Sequence, residues 1–454
     1  MALKALRALR ALRALRALRA LKPPKAPTAP MSIMAIMAIM AITSLTAAPA
    51  AWAAPAAAPT VLRVFVGGGN QRPDLMRQLF ARYMASHPGL RIDSEAGGST
   101  SDLQRQYLST VLNAKDPSLD IFLVDIVNPA QYEGAGWIEP LNAYLGPPST
   151  VMRRYLPAYG EADVVQGRIA ALPAFADAMF MYYRRDLLEK YHLPPPRTWD
   201  ELGREARLIQ AGEHQPRLQG LSIQGAPIEG TVCTFLLPYW SAGKALTDAD
   251  GRLTLDRDTA ARGLQQWLDL MASGVIKRNV AEVKTQDTVD EFKAGRVVFG
   301  IGWSFAWDRF ARDADSQVRG RVGVMALPAV TGGRRVSCLG GWQWAVSAYS
   351  RHKAEAAALV HYLASAEAAK YLAIHGALLP TDPALYHDAE VLHALPWLAD
   401  ASEGVLAGRS RPATPDYAQV SDAISSTTSA VLAGVKTPAQ GVRQIGSRLA
   451  RVLR

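Results

Sequence analysis

The period of the hydrophobic pattern changes repeatedly along the 454 residues, and each change marks an element. Residues 61–66 (VLRVFV) are almost continuously apolar and β-branched, which predicts a strand. The run empties into Gly67-Gly68-Gly69-Asn70. From Pro73 the apolar residues recur three and four apart, as Leu75, Leu79 and Tyr83 beside Met76 and Phe80. That spacing predicts a helix over 73–86, with proline at its first position and His87-Pro88-Gly89 as its stop. A second strand is expected at 90–94, and a second helix at 101–114 with Ser101 or Asp102 near its cap. Residues 119–125 (LDIFLVD) read as a strand buried on both faces. Strand and helix thus alternate as they do in a doubly wound α/β lobe, where ligands sit beyond the carboxyl ends of the strands. Gly68, Asn70, Gly97, Gly98 and Asp125 occupy such ends. The glycines after the first strand lack the phosphate-binding spacing, and no Gly-Lys-Ser/Thr follows. They are read as letting the backbone approach a ligand closely.

The stretch 167–193 organises the rest of the chain. It predicts two short apolar strands broken at Pro173, an apolar run over 179–183 and a helix from Asp186. Asp177 is a lone carboxylate between Phe175 and Met179; it either caps a surface turn or faces a cleft where the chain crosses between two lobes. Thr198 to Glu201 forms a capping box behind three prolines. A strand is expected at 220–225. Glu229-Gly230 opens a helix over 231–242 that carries Phe235, Tyr239 and Trp240, and Glu229 suits either ligand contact or the helix N-terminus. Helices at 256–273 and 289–294 precede a strand at 296–303 that runs through Gly300 and Gly302 onto Trp303. Residues 323–328 are expected as a strand returning to the first lobe. Gly340-Gly341-Trp342 sets small residues beside a large flat ring, a plausible platform for a sugar. Helices follow from 351 past 370, at 418–432 and at 438–453.

Composition changes this picture mainly at the N-terminus. Of the formal charge of +10, residues 1–53 carry eight Lys/Arg and no acid, so +2 remains on the body. A near-neutral body excludes an electrostatic footprint for nucleic acid. The leader holds an Ala-Leu-Arg repeat over 5–21, an apolar core over 31–45 and Ala51-Trp52-Ala53. This order is that of an export signal cleaved after Ala53, with Met31 as an alternative start. No cysteine stands near that site to take a lipid anchor, so a soluble periplasmic protein is expected. Cys233 and Cys338 are either a disulfide, worth about 4–5 kcal/mol for so long a loop, or two buried thiols. The eight histidines form no cluster with metal-ligand spacing, and neither a Gly-x-Ser-x-Gly nor a Cys/His nucleophile pattern is present. No metal or cofactor is expected.

The segments Gly167-Arg-Ile-Ala-Ala-Leu-Pro173 and Met181-Tyr-Tyr-Arg-Arg-Asp-Leu-Leu188 resemble the central signature of the extracellular solute-binding proteins that feed ABC sugar importers. Within them the chain is most similar to the maltose/trehalose-binding group. Asp120-Ile-Phe-Leu-Val-Asp125 with Gly134-Ala-Gly-Trp-Ile-Glu-Pro-Leu141, Leu339-Gly-Gly-Trp342 and Arg411-Pro-Ala-Thr-Pro-Asp-Tyr417 follow the same family in the same order. The resemblance implies a two-lobed periplasmic-binding-protein fold of type II, with hinge-linked doubly wound lobes and C-terminal helices. Residues 54–176 with 325–345 would form the first lobe, and 177–324 with 346–454 the second. Beside Gly68 and Asn70, proposed from the strand ends, it also implies a sugar held between the lobes by Asp125, Phe175, Asp177, Glu229, Trp303, Gly340, Gly341, Trp342 and Arg411. Phe175 replaces a common hydroxylated aromatic, and Gly302 a common polar residue, which implies departure from strict maltose or trehalose specificity. The implied function is delivery of a sugar, such as a disaccharide, to ABC permease subunits by a monomer without enzymatic activity. The alternatives are an exported glycoside hydrolase, whose paired carboxylates would serve cleavage, and a carrier of glycerol phosphate or polyamine.

Overall fold

The computed structural model describes residues 58–452 apart from 249 and 407; the leader, its repeat and the cleavage site lie outside the described residues. Ten strands are present among them, in chain order β1 (Thr60–Phe65), β2 (Leu90–Glu95), β3 (Ile121–Asp125), β4 (Val164–Val165), β5 (Arg168–Ile169), β6 (Leu172–Arg184), β7 (Gln219–Ser222), β8 (Val297–Trp303), β9 (Val322–Met325) and β10 (Leu339–Val346). β1, β2 and β3 run parallel, and β10 lies antiparallel between β3 and the first half of β6. The second half of β6 pairs antiparallel with both β8 and β9, and β7 runs parallel to β8. One long strand therefore belongs to two half-sheets, and the chain folds as a two-lobed α/β protein.

β3 shows why its sequence is uniformly apolar. Ile121 and Leu123 join the core under the helix Pro73–Ser86, while Phe122 and Val124 pack with Leu108, Leu112 and Tyr132 on the other face. A strand covered on both sides has no polar face to show. The helix Pro73–Ser86 has the predicted bounds. The next helix, Ser101–Asn113, is capped one residue earlier than expected, by Thr100, whose hydroxyl accepts from the Leu103 N–H at 3.3 Å. The Thr198–Glu201 capping box forms as read, with both reciprocal bonds present.

Two expectations for the centre are overturned. Pro173 does not end a strand: Leu172–Arg184 is one strand of 13 residues. Pro173 faces Gln343 and Phe175 faces Trp342, so Ala174 is the extra residue of a bulge, where a missing ladder donor is tolerated. Residues 322–325 do not return to the first half-sheet either. They pair with Met181–Arg184 in the second, and β10 is the strand that returns.

Tyr159 ties β6 to β10 where they cross into the second lobe. Its hydroxyl donates toward the carbonyls of Gly340 at 2.8 Å and Asp177 at 3.0 Å, and accepts from the Asp177 N–H at 3.2 Å. This contact needs Gly341, whose φ is +133° and where a Cβ would meet Tyr159 Cε1 at 2.7 Å and the Phe175 carbonyl at 2.8 Å. Gly341→Ala is expected to destabilise the fold by about 2 kcal/mol or more, the combined effect of backbone strain and displaced packing. Urea unfolding followed by circular dichroism measures it, and a change under about 0.5 kcal/mol would contradict this account.

Candidate functional site

Strand register gathers the candidate residues. Antiparallel pairing sets Trp342 opposite both Asp125 and Phe175, and Gly340 opposite Asp177. Met179 faces Trp303, so the end of β8 lies beside the crossing. β1 and β2 end at the same edge, where the Gly97 N–H donates to Gly67 O at 2.9 Å. All the residues proposed from sequence to hold a ligand line one cleft, whose walls enclose about 650 Å³ of space partly open to solvent. Only about 80 Å³ of it admits the centre of a water-sized sphere, which leaves no room for a folded partner.

Asp177 is 6 % exposed, and three donors converge on its Oδ1. These are the Ser304 hydroxyl at 2.6 Å, the Ser304 N–H at 2.8 Å and the Ala178 N–H at 2.9 Å. Among the described residues no donor reaches Oδ2. Burial pushes this carboxyl up to about 7, against the opposing pull of the Ser304 bonds. It is no turn cap on the surface.

Arg411 lies between two carboxylates. Its Nη1 donates to Glu229 Oε1 at 2.6 Å, and Nη2 to Asp125 Oδ1 at 3.2 Å and to the Leu339 carbonyl at 3.3 Å. Tyr417 also donates to Glu229 Oε1, and Ser421 to Oε2 at 2.5 Å. Tyr417 and Ser421 are four residues apart on the helix Tyr417–Leu432, hence one above the other on the same face. Burial raises Asp125, which Arg411 opposes; burial pulls the Arg411 guanidinium down, but the neighbouring Asp125, Cys233, Tyr417 and Glu229 outweigh it and hold the group well above its ordinary value. Both Glu229 oxygens are therefore committed to protein donors, and the helix Glu229–Ser241 is buried along its whole length. Glu229 stands in the first turn of its helix, as one of the two sequence readings had it, and the geometry adds a role that neither contained, the anchoring of Arg411.

The aromatic walls are Trp303, Trp342, Phe175 and Phe305. A Cβ at Gly340 would fall 2.6 Å from Trp303 Cζ3, so the glycine makes room for the indole. Trp303 is thus on the cleft and is not a core residue. Gly302 points the other way: a Cβ there would meet the Tyr182 ring at 3.0 Å, and a polar side chain would enter the core. The departure in specificity that the resemblance implies at Gly302 therefore has no counterpart in the cleft wall.

Several lining residues escaped the sequence reading, among them Gln71, Gln104, Ser101, Thr285 and Phe305. Gln71 Oε1 accepts from the Gly68 N–H at 2.7 Å, and Gln104 Nε2 donates to Gly98 O at 2.9 Å, so these amides shape the glycine loops. Ser304 and Ser101 sit directly after candidate strand ends or loops, and the rule that placed Gly68 and Asp125 would have reached them. The rims also touch across the cleft. Arg72 Nη1 meets Asp308 Oδ2 at 2.6 Å, and Asp102 Oδ2 accepts from the Glu229 N–H at 2.9 Å.

Residues 69–370 match the family model of bacterial extracellular solute-binding proteins. A probable ABC transporter-binding protein of Deinococcus radiodurans is 33% identical over 361 residues, 78% of this chain and 84% of that one. A mannitol-binding protein of Pseudomonas aeruginosa is 24% identical over 66% of this chain and 67% of its own length. Among solved structures, maltose-bound MalE3 of T. maritima superposes with a TM-score of 0.80 at 30% identity, covering 87% of this chain and 100% of that one.

Proposed function

The chain belongs to the bacterial extracellular solute-binding proteins, and from that premise we propose that it is the receptor of an ABC importer for a sugar, a disaccharide such as maltose or trehalose. The family consists of binding components of transporters and not of enzymes. The observation that carries the reading is the wall composition of the cleft. Trp303 and Trp342 offer flat faces to the apolar C–H surface of a sugar ring, and Asp177 keeps an oxygen without a protein donor beside them. A carboxylate accepts from a hydroxyl with charge-assisted strength, and the backbone at Gly340 and Gly341 together with Asn70 extends the polar side, next to Gly68, whose N–H is held by Gln71. Asp125 and Arg411 complete the wall, with Glu229 holding Arg411 in place. The maltose in the T. maritima protein and the mannitol in the name of the P. aeruginosa protein bracket the size of solute to be tried.

In this reading the solute is buried from both lobes, and its better fit to the closed form drives closure. The permease subunits then meet a closed receptor. The protein acts as a monomer secreted through its leader; one lobe is built on residues 58–176 and β10, and it also takes the helices Lys353–Leu363 and Ala366–Gly376, which pack on β10 and on the helix Pro73–Ser86, while β7, β8 and β9 belong to the other, so the division departs from the one the resemblance implies.

Tryptophan fluorescence tests the reading, with the protein titrated against maltose, trehalose, mannitol and glycerol 3-phosphate, and the sugars analysed afterwards. Saturable quenching or a blue shift by an intact disaccharide is expected. Trp342→Ala should weaken it about tenfold or more, from the loss of ring contact. Response to glycerol 3-phosphate alone would replace the sugar with an anion, and release of monosaccharide would make the protein a hydrolase.

A further inference from the structure

The two cysteines are 105 positions apart in the chain, yet their Sγ atoms lie 2.6 Å apart, and both side chains are fully buried. Cys233 stands one helical turn after Glu229, on the same face of the helix Glu229–Ser241. Cys338 directly precedes β10. Its carbonyl accepts from the Met179 N–H at 3.1 Å, at the residue where β6 leaves β10 and begins to pair with β8. Arg409 holds it on the other side, through the Arg409–Cys338 bridge and the Leu339 N–H bond to Arg409 O at 2.9 Å. The sulfurs thus join the helix that carries Glu229 to the crossing that carries Gly340, Gly341 and Trp342. Both are walls of the same cleft.

We propose that Cys233 and Cys338 form a disulfide in the exported protein, and that this bond fixes the two cleft walls against each other so that solute affinity depends on the redox state in which the chain folded. The second half rests on the reading of the cleft as the solute site; the first does not. Disulfides persist outside the cytoplasm, where this family works. The bond forms by exchange with a low-molecular or protein disulfide. One cysteine thiolate attacks a sulfur of the oxidant and releases the other as a thiol. The second cysteine thiolate then attacks the resulting mixed disulfide, and the oxidant's remaining sulfur leaves as a thiol. The chain loses two electrons and two protons, and the oxidant's disulfide gains them as two thiols.

Burial decides when this happens. Neither sulfur of the folded chain is open to an external disulfide, and burial holds the Cys233 thiol well above its usual range, away from the reactive thiolate. The exchange belongs to folding, before the helix Glu229–Ser241 docks. Each form is then trapped by the fold: the oxidised protein resists mild reductant, and the folded dithiol resists oxidised glutathione. With the bond in place, the wall that holds Glu229 and Arg411 and the wall that carries Trp342 are ordered before the solute arrives, which raises affinity by removing that ordering from the binding step.

The full chain is tested as recovered from the periplasm of an expressing cell, and after refolding in either oxidised glutathione or dithiothreitol. Each sample is denatured, alkylated with iodoacetamide and weighed intact. The exported and glutathione-refolded proteins are expected to take no label, and the dithiothreitol-refolded protein to take two. The reduced protein should melt about 5 °C lower or more and bind maltose several-fold more weakly. Cys233→Ser/Cys338→Ser should match the reduced protein and ignore the redox conditions; Cys233→Ala/Cys338→Ala serves if the serines prevent folding. Two labels on both the exported and the glutathione-refolded chain would overturn the bond. An unlabelled exported chain that binds maltose no better than its reduced form would overturn the coupling to affinity. A bonded chain that binds none of the trial solutes in either form would remove the cleft reading and leave the cross-link standing.

Discussion

Arg411→Met is expected to cost the protein about 3–5 kcal/mol, the range for stranding buried charges by removing their partner. Arg411 is 4 % exposed and its guanidinium stands between Asp125 and Glu229, both also buried. Methionine fills much of the volume but donates nothing. Glu229 would keep its bonds from Tyr417 and Ser421, while Asp125 would retain only a weak bond from the Val127 N–H at 3.4 Å. Asp125 is already raised by burial against the attraction of Arg411, so losing that attraction raises it further. The sign follows: a carboxyl raised in the folded state favours folding at low pH and loses that benefit as pH rises through its folded value. The deficit of Arg411→Met should therefore shrink as the solution is acidified. Urea unfolding at two pH values measures it, and Arg411→Met/Glu229→Gln should recover part of the loss if the charges are coupled. A deficit below about 1 kcal/mol at neutral pH would show that the network does not hold the lobes' inner walls.

Asp177→Asn should reduce solute affinity by about 10–100-fold, the effect of a hydrogen bond to a charged group. It should also flatten the dependence of affinity on pH. The folded carboxyl titrates at about 7, against an ordinary value of 3.8. Its protonation therefore favours the folded empty protein, a contribution fully present below about 4 and lost as pH rises through about 7. A solute hydroxyl that donates to the ionised oxygen acts in the opposite sense and lowers the bound value. Binding then releases a proton, and affinity climbs with pH through about 7 before levelling. Isothermal titration calorimetry in buffers of different ionisation enthalpy would count that proton. Affinity that falls with rising pH would mean that the protonated carboxyl is the donor, and Asn would then be the milder replacement.

How much of this was legible in the chain follows from the range of the forces involved. Local rules placed the helix Pro73–Ser86 and the Thr198 capping box, because proline at the first turn and a Thr-x-x-Glu spacing act within a few residues. Topology placed Gly68, Asn70 and Asp125, since strand ends in such sheets converge. Pro173 misled for the same local reason that Pro73 informed: its missing donor usually ends pairing, and only the opposing Gln343 reveals a bulge. Two of the three donors on Asp177 come from Ser304, 127 positions away, and those on Glu229 from Arg411, Tyr417 and Ser421, 182, 188 and 192 away. No pattern within one window reports such a pair. Gly302 and Trp303 show the finest limit, because alternation along β8 decides which of two neighbours faces the cleft, and only the packing of Tyr182 sets the phase.

The ion pair between Arg72 and Asp308, together with the bond from the Glu229 N–H to Asp102, has a consequence for the fidelity of import. Both join the rims without help from any cargo. Whatever free energy they contribute raises the fraction of receptors that shut while empty and sharpens apparent affinity by the same factor. A transporter that responds to shape alone then receives false reports of arrival. Tight capture and a quiet background pull these rim residues in opposite directions, and the strength of two polar contacts sets the compromise.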